Sequence, residues 1–402
     1  MADSEAGMVR VWLGRVWADI KASTDASLLG LLRFLGLLYG PIDTQLPIDQ
    51  AFRKALRNRL PRNADWRRAF GGITYLLFII LVATGVLLSF YYRPSAEEAY
   101  QSVQHIVGGI TLGWLMRDMH RWCANLIVVA VLVHMARVFF SGAYKPPRET
   151  NWLVGLFLLF TILLFGATGY LLPWDQWAYW TTTQGIDAMS RVPLFGGFVA
   201  DMFRGDPIVS GATLSRFFAV HVILLPWIAL GLLMLHFTLL RKHAATVPDE
   251  AREGVPFYPN HLLRTVVVGV LVIAFAMTAA VLWPRAVAAP ADPAHPPTSL
   301  QSTWLVADVS RALAHYLGAF GFVLFIALGI ALAVLPLFDR SQERRLRRRP
   351  LVAGLGLAFF LLFTVAWLAG RHLRSTPSSE ELVPRRTSVA PRDTTTSVAK
   401  LP

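Results

Sequence analysis

Seven apolar runs, each long enough to cross a bilayer, divide this chain; they lie near 70–92, 114–140, 152–172, 214–240, 262–283, 304–336 and 351–370, here spans A to G. A hydrocarbon core of about 30 Å takes ~20 residues of helix. In lipid every backbone N–H and C=O must be bonded within the structure, so such runs fold as helices. The expected class is an all-α membrane protein with seven transmembrane helices. Composition agrees, since 55% of the 402 residues are hydrophobic and 16% are charged, too apolar for a soluble domain of this length. The net charge of +13 sits in short segments between the spans, which argues against a nucleic-acid partner. One cysteine, Cys123, leaves no intrachain disulfide framework and no cysteine-based zinc or iron–sulfur site within the chain.

Basic residues mark one side of the membrane. "FRKALRNRLPRNADWRR" precedes A, "YKPPRE" joins B to C, "RKHAATVPDEAREG" follows D and "DRSQERRLRRRP" joins F to G, while the A–B, C–D and E–F connections are poorer in Lys and Arg. The positive-inside rule therefore predicts a multi-pass protein of the bacterial cytoplasmic membrane with its N-terminus in the cytoplasm and its C-terminus outside. No cleavable signal peptide is evident. The stretch from Met8 to Tyr39 mixes Trp and Leu with Arg and Lys, the pattern of a helix lying on the cytoplasmic surface. The tail from Ser375 is rich in Ser, Thr and Pro, a composition that favours disorder.

Ionisable residues inside a membrane are functional candidates by default. Span B carries His120 and His134, separated by 14 residues. Fourteen steps of about 100° return to nearly the same helix face, ~21 Å further along. Span D repeats the arrangement with His221 and His236, separated by 15. A lone histidine fits an interhelical hydrogen bond. Four, as matched pairs on two spans, describe bis-histidine ligation of two stacked haems.

Glycines repeat the interval. Gly71 and Gly85 on span A, and Gly155 and Gly169 on span C, are again 14 apart. Glycine in mid-helix permits close approach of a flat group or of another helix. The shared interval predicts two haem planes edged by A and C and ligated from B and D, a four-helix bundle with cofactors in its core. Arg117 and Arg137 lie one helical turn beyond His120 and His134, each toward its own membrane face, and are candidate partners for the anionic haem propionates.

The segments "GGITYLLFIILVATG", "GWLMRDMHRW", "HMARV", "KPPRE", "GATGYLLPWDQWAYW", "TLSRFFAVHVILLP" and "LLMLHFTLLRK" resemble the cytochrome b of quinol:cytochrome c or plastocyanin oxidoreductases, in particular the chloroplast and cyanobacterial branch. "YPNHLL", "PADPAHPPTSLQSTW" and "RRRP" resemble the small separate subunit of the chloroplast complex, so the chain is similar to a fusion of the two. The resemblance implies four segments: an interfacial part at 1–60, a di-haem four-helix domain at 61–245 (spans A to D), a three-helix quinone-site domain at 246–372 and a disordered tail at 373–402. It implies that quinol is oxidised at the outer side. One electron passes to a Rieske iron–sulfur protein and on to a c-type cytochrome. The other crosses through a low-potential haem on His120 and His221 and a high-potential haem on His134 and His236 to quinone at the cytoplasmic side, with proton translocation. A homodimer set in membrane lipid is implied too.

Four positions depart from the family pattern. Ala69 stands where chloroplast relatives have the cysteine that attaches a third haem, so a covalent third haem is not expected. His261 replaces the acidic residue after Pro-Asn at the inner quinone site, and a histidine can still donate a proton to reduced quinone. Thr303, within "STWL", replaces the Glu of Pro-Glu-Trp-Tyr at the outer site. Asp308, five residues on, stands in place of a helix-kinking proline, with Arg311 at i+3 as a partner. Losing that proline predicts a straight start to span F, and Asp308 or His295 is a candidate proton acceptor. Two other readings stay open: a divergent electron-conducting cytochrome b with an impaired outer quinol site, and the haem-b membrane anchor of a dehydrogenase.

Overall fold

The computed structural model describes residues 59–60, 69–244, 255–256, 262–297, 304–341, 343–373 and 382–383. Thr303, His261 and the 8–39 stretch lie outside these residues. The chain forms two compact units, 1–66 with 247–268, and 67–246 with 269–402. In the first, Arg59–Leu60 pairs antiparallel with Val255–Pro256. The second contains the helices that position the site.

The helices run in chain order: α1 (Ala69–Ser89), α2 (Ala99–Gly109), α3 (Gly113–Phe140), α4 (Glu149–Leu171), α5 (Gln176–Ser190), α6 (Gly196–Arg204), α7 (Gly211–Ala219) and α8 (Leu225–Ala244). Then come α9 (Leu262–Leu282), α10 (Leu305–Leu317), α11 (Ala319–Phe338) and α12 (Pro350–His372). Six segments among the described residues are long and apolar enough to cross a membrane, and Val323–Phe338 is a shorter apolar helix. The fold is therefore an all-α, multi-span membrane architecture. Large apolar side chains such as Trp227, Phe157 and Leu361 lie exposed on the helix exteriors, as helices solvated by lipid require.

Span F is not one helix. α10 runs unbroken from Leu305 to Leu317, through Asp308. The break comes instead at Gly318, whose φ of +58° and ψ of −137° an L side chain rarely adopts. α10 opens on Leu305 N–H donating to Asn125 Oδ1 of α3 at 2.9 Å, which satisfies one of its first-turn donors. It packs on α12 so closely that a Cβ at Gly370 would sit 1.9 Å from the Asp308 carbonyl oxygen.

α1 packs on α3, and α4 on α8. Leu77, Cys123, Ile127, Val128 and Ala276 form one buried cluster joining α1, α3 and α9. A second gathers Ala99, Leu171, Trp174, Tyr179, Leu214 and Phe217 at the other end of the bundle. There "PWDQ" makes a tight turn with Trp174 at φ +52°. Asp175 caps α5 by accepting from Ala178 N–H at 2.8 Å, and Gln176 Oε1 accepts from Asp292 N–H at 3.0 Å. The turn thus holds the 287–292 segment against the bundle. Val287–Ala288 pairs antiparallel with Leu382–Val383, within the tail expected to lack structure.

An ion network closes the end that carries the basic loops. Lys145 Nζ, from "KPPRE", lies 2.8 Å from Asp339 Oδ1 and also donates to the Ser341 and Glu343 carbonyls. Arg349 Nη2 reaches Asp339 Oδ2 at 2.8 Å, and the Tyr144 hydroxyl bonds the same carboxylate. Burial pushes the Asp339 carboxyl up, but the hydrogen bonds from Lys145, Tyr144 and Ser341 outweigh it and hold the group far below the usual carboxylate range.

Candidate functional site

The four histidines lie in two layers. His120 and His221 face each other with ring centroids 6.3 Å apart and planes inclined at 67°. Two imidazoles that bind one metal ion end-on, at a metal–nitrogen distance of about 2.0–2.1 Å, place their centroids ~6.3 Å apart. The observed separation is therefore the one that a shared iron would need. In the other layer His236 is near enough to His134 to act on it electrostatically, and so is Arg137 in the last turn of α3.

Each imidazole leans on one of the expected glycines. A Cβ would lie 3.3 Å from His120 Cε1 at Gly85, 2.5 Å from His221 Cε1 at Gly169, 3.2 Å from His134 Cε1 at Gly71 and 3.8 Å from His236 Cε1 at Gly155. So Gly85 and Gly169 belong to the His120–His221 layer, and Gly71 and Gly155 to the other. The contacts are to the rings themselves. Glycine lets α1 and α4 approach the imidazoles, which fixes where a planar group between them is held.

A π-turn solves the unequal spacing. Fifteen residues of regular α-helix would leave His236 ~60° off the face of His221. The chain forms a π-turn at Val220–Leu224, with Leu225 N–H bonded to the Val220 carbonyl, and this turn absorbs the extra residue. Its cause is local: Pro226 has no N–H for the Val222 carbonyl, so the α ladder cannot continue there.

The first layer opens into a cavity of about 340 Å³ lined by Gly85, Arg117, His120, Arg121, Gly169 and His221, with Trp304 at its wall. Arg117 is buried, touches Asp118 at 3.3 Å and donates to the Arg285 carbonyl at 2.8 Å. Arg121, one turn further along α3, brings a second cation to this wall; its i+4 spacing from Arg117 was the available signal. Donor set, cavity and cations all fit a bis-histidine haem in this layer.

Two threonines complete the first layer. Thr84 Oγ1 lies 2.9 Å from His120 Nδ1, and Thr168 Oγ1 lies 3.2 Å from His221 Nδ1. Each hydroxyl already donates its proton to a backbone carbonyl, Ile80 or Leu164, at 2.7 Å. It can therefore only accept from the imidazole. The Leu81 and Phe165 carbonyls, acceptors too, lie beside the same two rings. Both Nδ1 atoms thus carry the proton, which leaves Nε2 as the metal-binding lone pair. In the second layer the buried Nδ1 atoms of His134 and His236 have no hydroxyl partner among the described residues, and the Asn151 carbonyl lies beside the His236 ring.

The quinone-site expectations fare unevenly. Asp308 is buried and paired with Arg311 at 3.3 Å, and it does not line the cavity. Trp304 does line it, stacked over Tyr170 with centroids 6.5 Å apart. His295 is exposed, pairs with Asp292 at 2.8 Å and lies off the cavity. Ala69 begins α1 one turn from the second layer, with no nucleophile in its side chain.

Residues 58–244 match the family model Cytochrome b/b6/petB. The chain is 42% identical over 189 residues to cytochrome b6 of Synechocystis sp., covering 47% of this chain and 85% of that protein. It is 37% identical over 222 residues to the menaquinol:cytochrome c reductase cytochrome b subunit of Geobacillus thermodenitrificans, covering 53% of this chain and 99% of that one. A solved structure, the hyperthermophilic respiratory Complex III, superposes with a TM-score of 0.74 at 26% identity over 85% of this chain and 92% of that chain.

Proposed function

Because this chain belongs to the cytochrome b/b6 family, we propose that it is the membrane cytochrome b subunit of a quinol:cytochrome c oxidoreductase complex, holding two b-type haems. The carrying observation is the 6.3 Å separation of the His120 and His221 rings across a cavity walled by Gly85, Gly169, Arg117 and Arg121. His134 and His236 hold the second haem ~20 Å along the same helices. The haems supply one-electron transfer across the low-dielectric core. The protein's own work is positional: α3 and α8 present paired Nε2 donors, the glycines set the ring positions, the buried arginines offset propionate charge, and apolar packing excludes water.

Sidedness follows from charge. The loops bearing Lys145 and Arg344–Arg349 bond together at the His134–His236 end, which the positive-inside rule assigns to the cytoplasm. His120–His221 is then the outer layer, next to the quinol-oxidising site, and electrons move inward from it to a cytoplasm-side quinone site with proton translocation. Partners of the complex are a Rieske protein and a c-type cytochrome, in a homodimer. No covalent third haem is attached at Ala69. Asp308, off the cavity and bonded to Arg311, orients α10 against α12.

The test is ligand deletion. His134→Leu and His236→Leu each remove the same haem and leave the other, giving one shared redox-difference spectrum. Two haems per chain in either variant would defeat the assignment.

A further inference from the structure

The two histidine layers differ in what stands behind the imidazoles. Thr precedes the glycine in both α1 and α4 at one level, Thr84–Gly85 and Thr168–Gly169; at the other level the same places hold Phe70–Gly71 and Val154–Gly155. As a result both rings of the first layer donate Nδ1–H to a hydroxyl, while Nδ1 of His134 and of His236 finds no such acceptor.

We propose that Thr84 and Thr168 are positioning residues that set the two haems at different potentials, holding the His120–His221 haem lower than the His134–His236 haem. This rests on the bis-histidine reading above. A hydrogen bond accepted from Nδ1–H draws that proton away and makes Nε2 a stronger donor. A stronger donor stabilises the ferric state over the ferrous one and lowers the reduction potential. Two hydroxyls and two carbonyls stand behind the rings of the first layer, against the single Asn151 carbonyl beside His236 in the second, and this imbalance tilts the path so that an electron runs from the first layer to the second. The hydroxyls also lock ring rotation, since each is itself anchored to a carbonyl one turn earlier in its helix.

The experiment uses the intact complex in membranes, with haem counted per chain and each midpoint measured by optical potentiometry. In Thr84→Val/Thr168→Val, which keeps side-chain shape and removes both hydroxyls, the reduction equilibrium of one haem shifts about fivefold to tenfold toward the ferrous state, the other staying at its parent value. Thr84→Ser/Thr168→Ser restores the parent midpoint. Val154→Thr, which offers His236 a hydroxyl, moves the other haem in the opposite direction. A valine variant with both haems bound and both midpoints unchanged overturns the proposal. If the valine variant loses its first-layer haem, Val154→Thr decides, and an unmoved second-layer midpoint overturns it. A parent with fewer than two haems per chain is a different failure, that of the bis-histidine reading itself.

Discussion

At Gly169 a single added methyl group would lie 2.5 Å from His221 Cε1, closer than carbon atoms are found; at Gly155 the corresponding distance to His236 is 3.8 Å, ordinary contact. The two positions look alike in sequence, so they make a graded test. Gly169→Ala should displace His221 and cost much of the first-layer haem, while Gly155→Ala should leave the second-layer haem at parent occupancy; equal haem content in both variants would refute the contact reading. Asp308 provides another residue-scale test. Buried and bonded to Arg311, it is expected to act on helix position and not on protons. Asp308→Asn should lower thermal stability by about 1–3 kcal/mol, since it weakens a buried charge pair, and leave the pH profile of quinol-dependent cytochrome c reduction unchanged. A shifted profile would return Asp308 to the proton path. The four histidines and four glycines were legible in sequence because helical periodicity projects a 14-residue interval onto one face. Thr84 and Thr168 were not picked out, although the signal was present: a Thr-Gly pair at one level of both spans. Threonine in a membrane helix usually bonds its own backbone, so it attracts no notice until a ring nitrogen is seen beside it.

At the scale of the element, the unequal spacing of the histidines shows what periodicity misses. The 15-residue interval on the fourth span was visible, as was Pro226, but α-helical geometry alone puts His236 off the face. Only a π-turn reconciles them. Deleting Ile223 inside that turn removes the extra residue where the turn absorbs it, and both haems should be retained. Deleting Leu230, past the proline, should rotate His236 by ~100° and cost the second-layer haem. Haem content of the two deletions separates these outcomes. The break at Gly318 went unseen for a related reason: hydropathy averages over a window, and one residue's φ leaves no trace in it. The clamp of Lys145, Asp339 and Arg349 unites two loops nearly two hundred residues apart, which no local pattern reveals. Lys145→Met removes the ammonium's hydrogen bonds to Asp339, Ser341 and Glu343 while Arg349 still pairs with Asp339, and is expected to destabilise by about 1–3 kcal/mol. The folded Asp339 carboxyl is depressed, so its stabilisation is complete above the unfolded value near 3.9 and is lost as pH falls toward the strongly acid folded value. The stability gap between the parent and Asp339→Asn should therefore be flat from about pH 8 to pH 5 and close below about pH 4.

For the whole molecule, the order of the two histidine layers across the membrane depends on which end faces the cytoplasm, and the proposed orientation rests on loop charge. The basic end carries Lys145 and Arg344–Arg349; the opposite end carries "PWDQWAYW", Leu194 just before α6 and Phe198 within it, both of these last exposed. The chain is well suited to a direct test, because its one cysteine, Cys123, is fully buried and gives little labelling background. In Leu194→Cys, a membrane-impermeant maleimide should react in right-side-out spheroplasts. In Arg345→Cys, at an exposed position of the basic loop, it should react only after lysis. The reverse pattern would invert the molecule, put His134 and His236 beside the quinol-oxidising face, and make the threonine-backed layer the receiving end of the path. Electrons would then have to climb in potential to cross the membrane, so the labelling result and the midpoint shift expected for Thr84→Val/Thr168→Val must agree in direction for the charge-based orientation and the threonine-based potential order to hold in one protein.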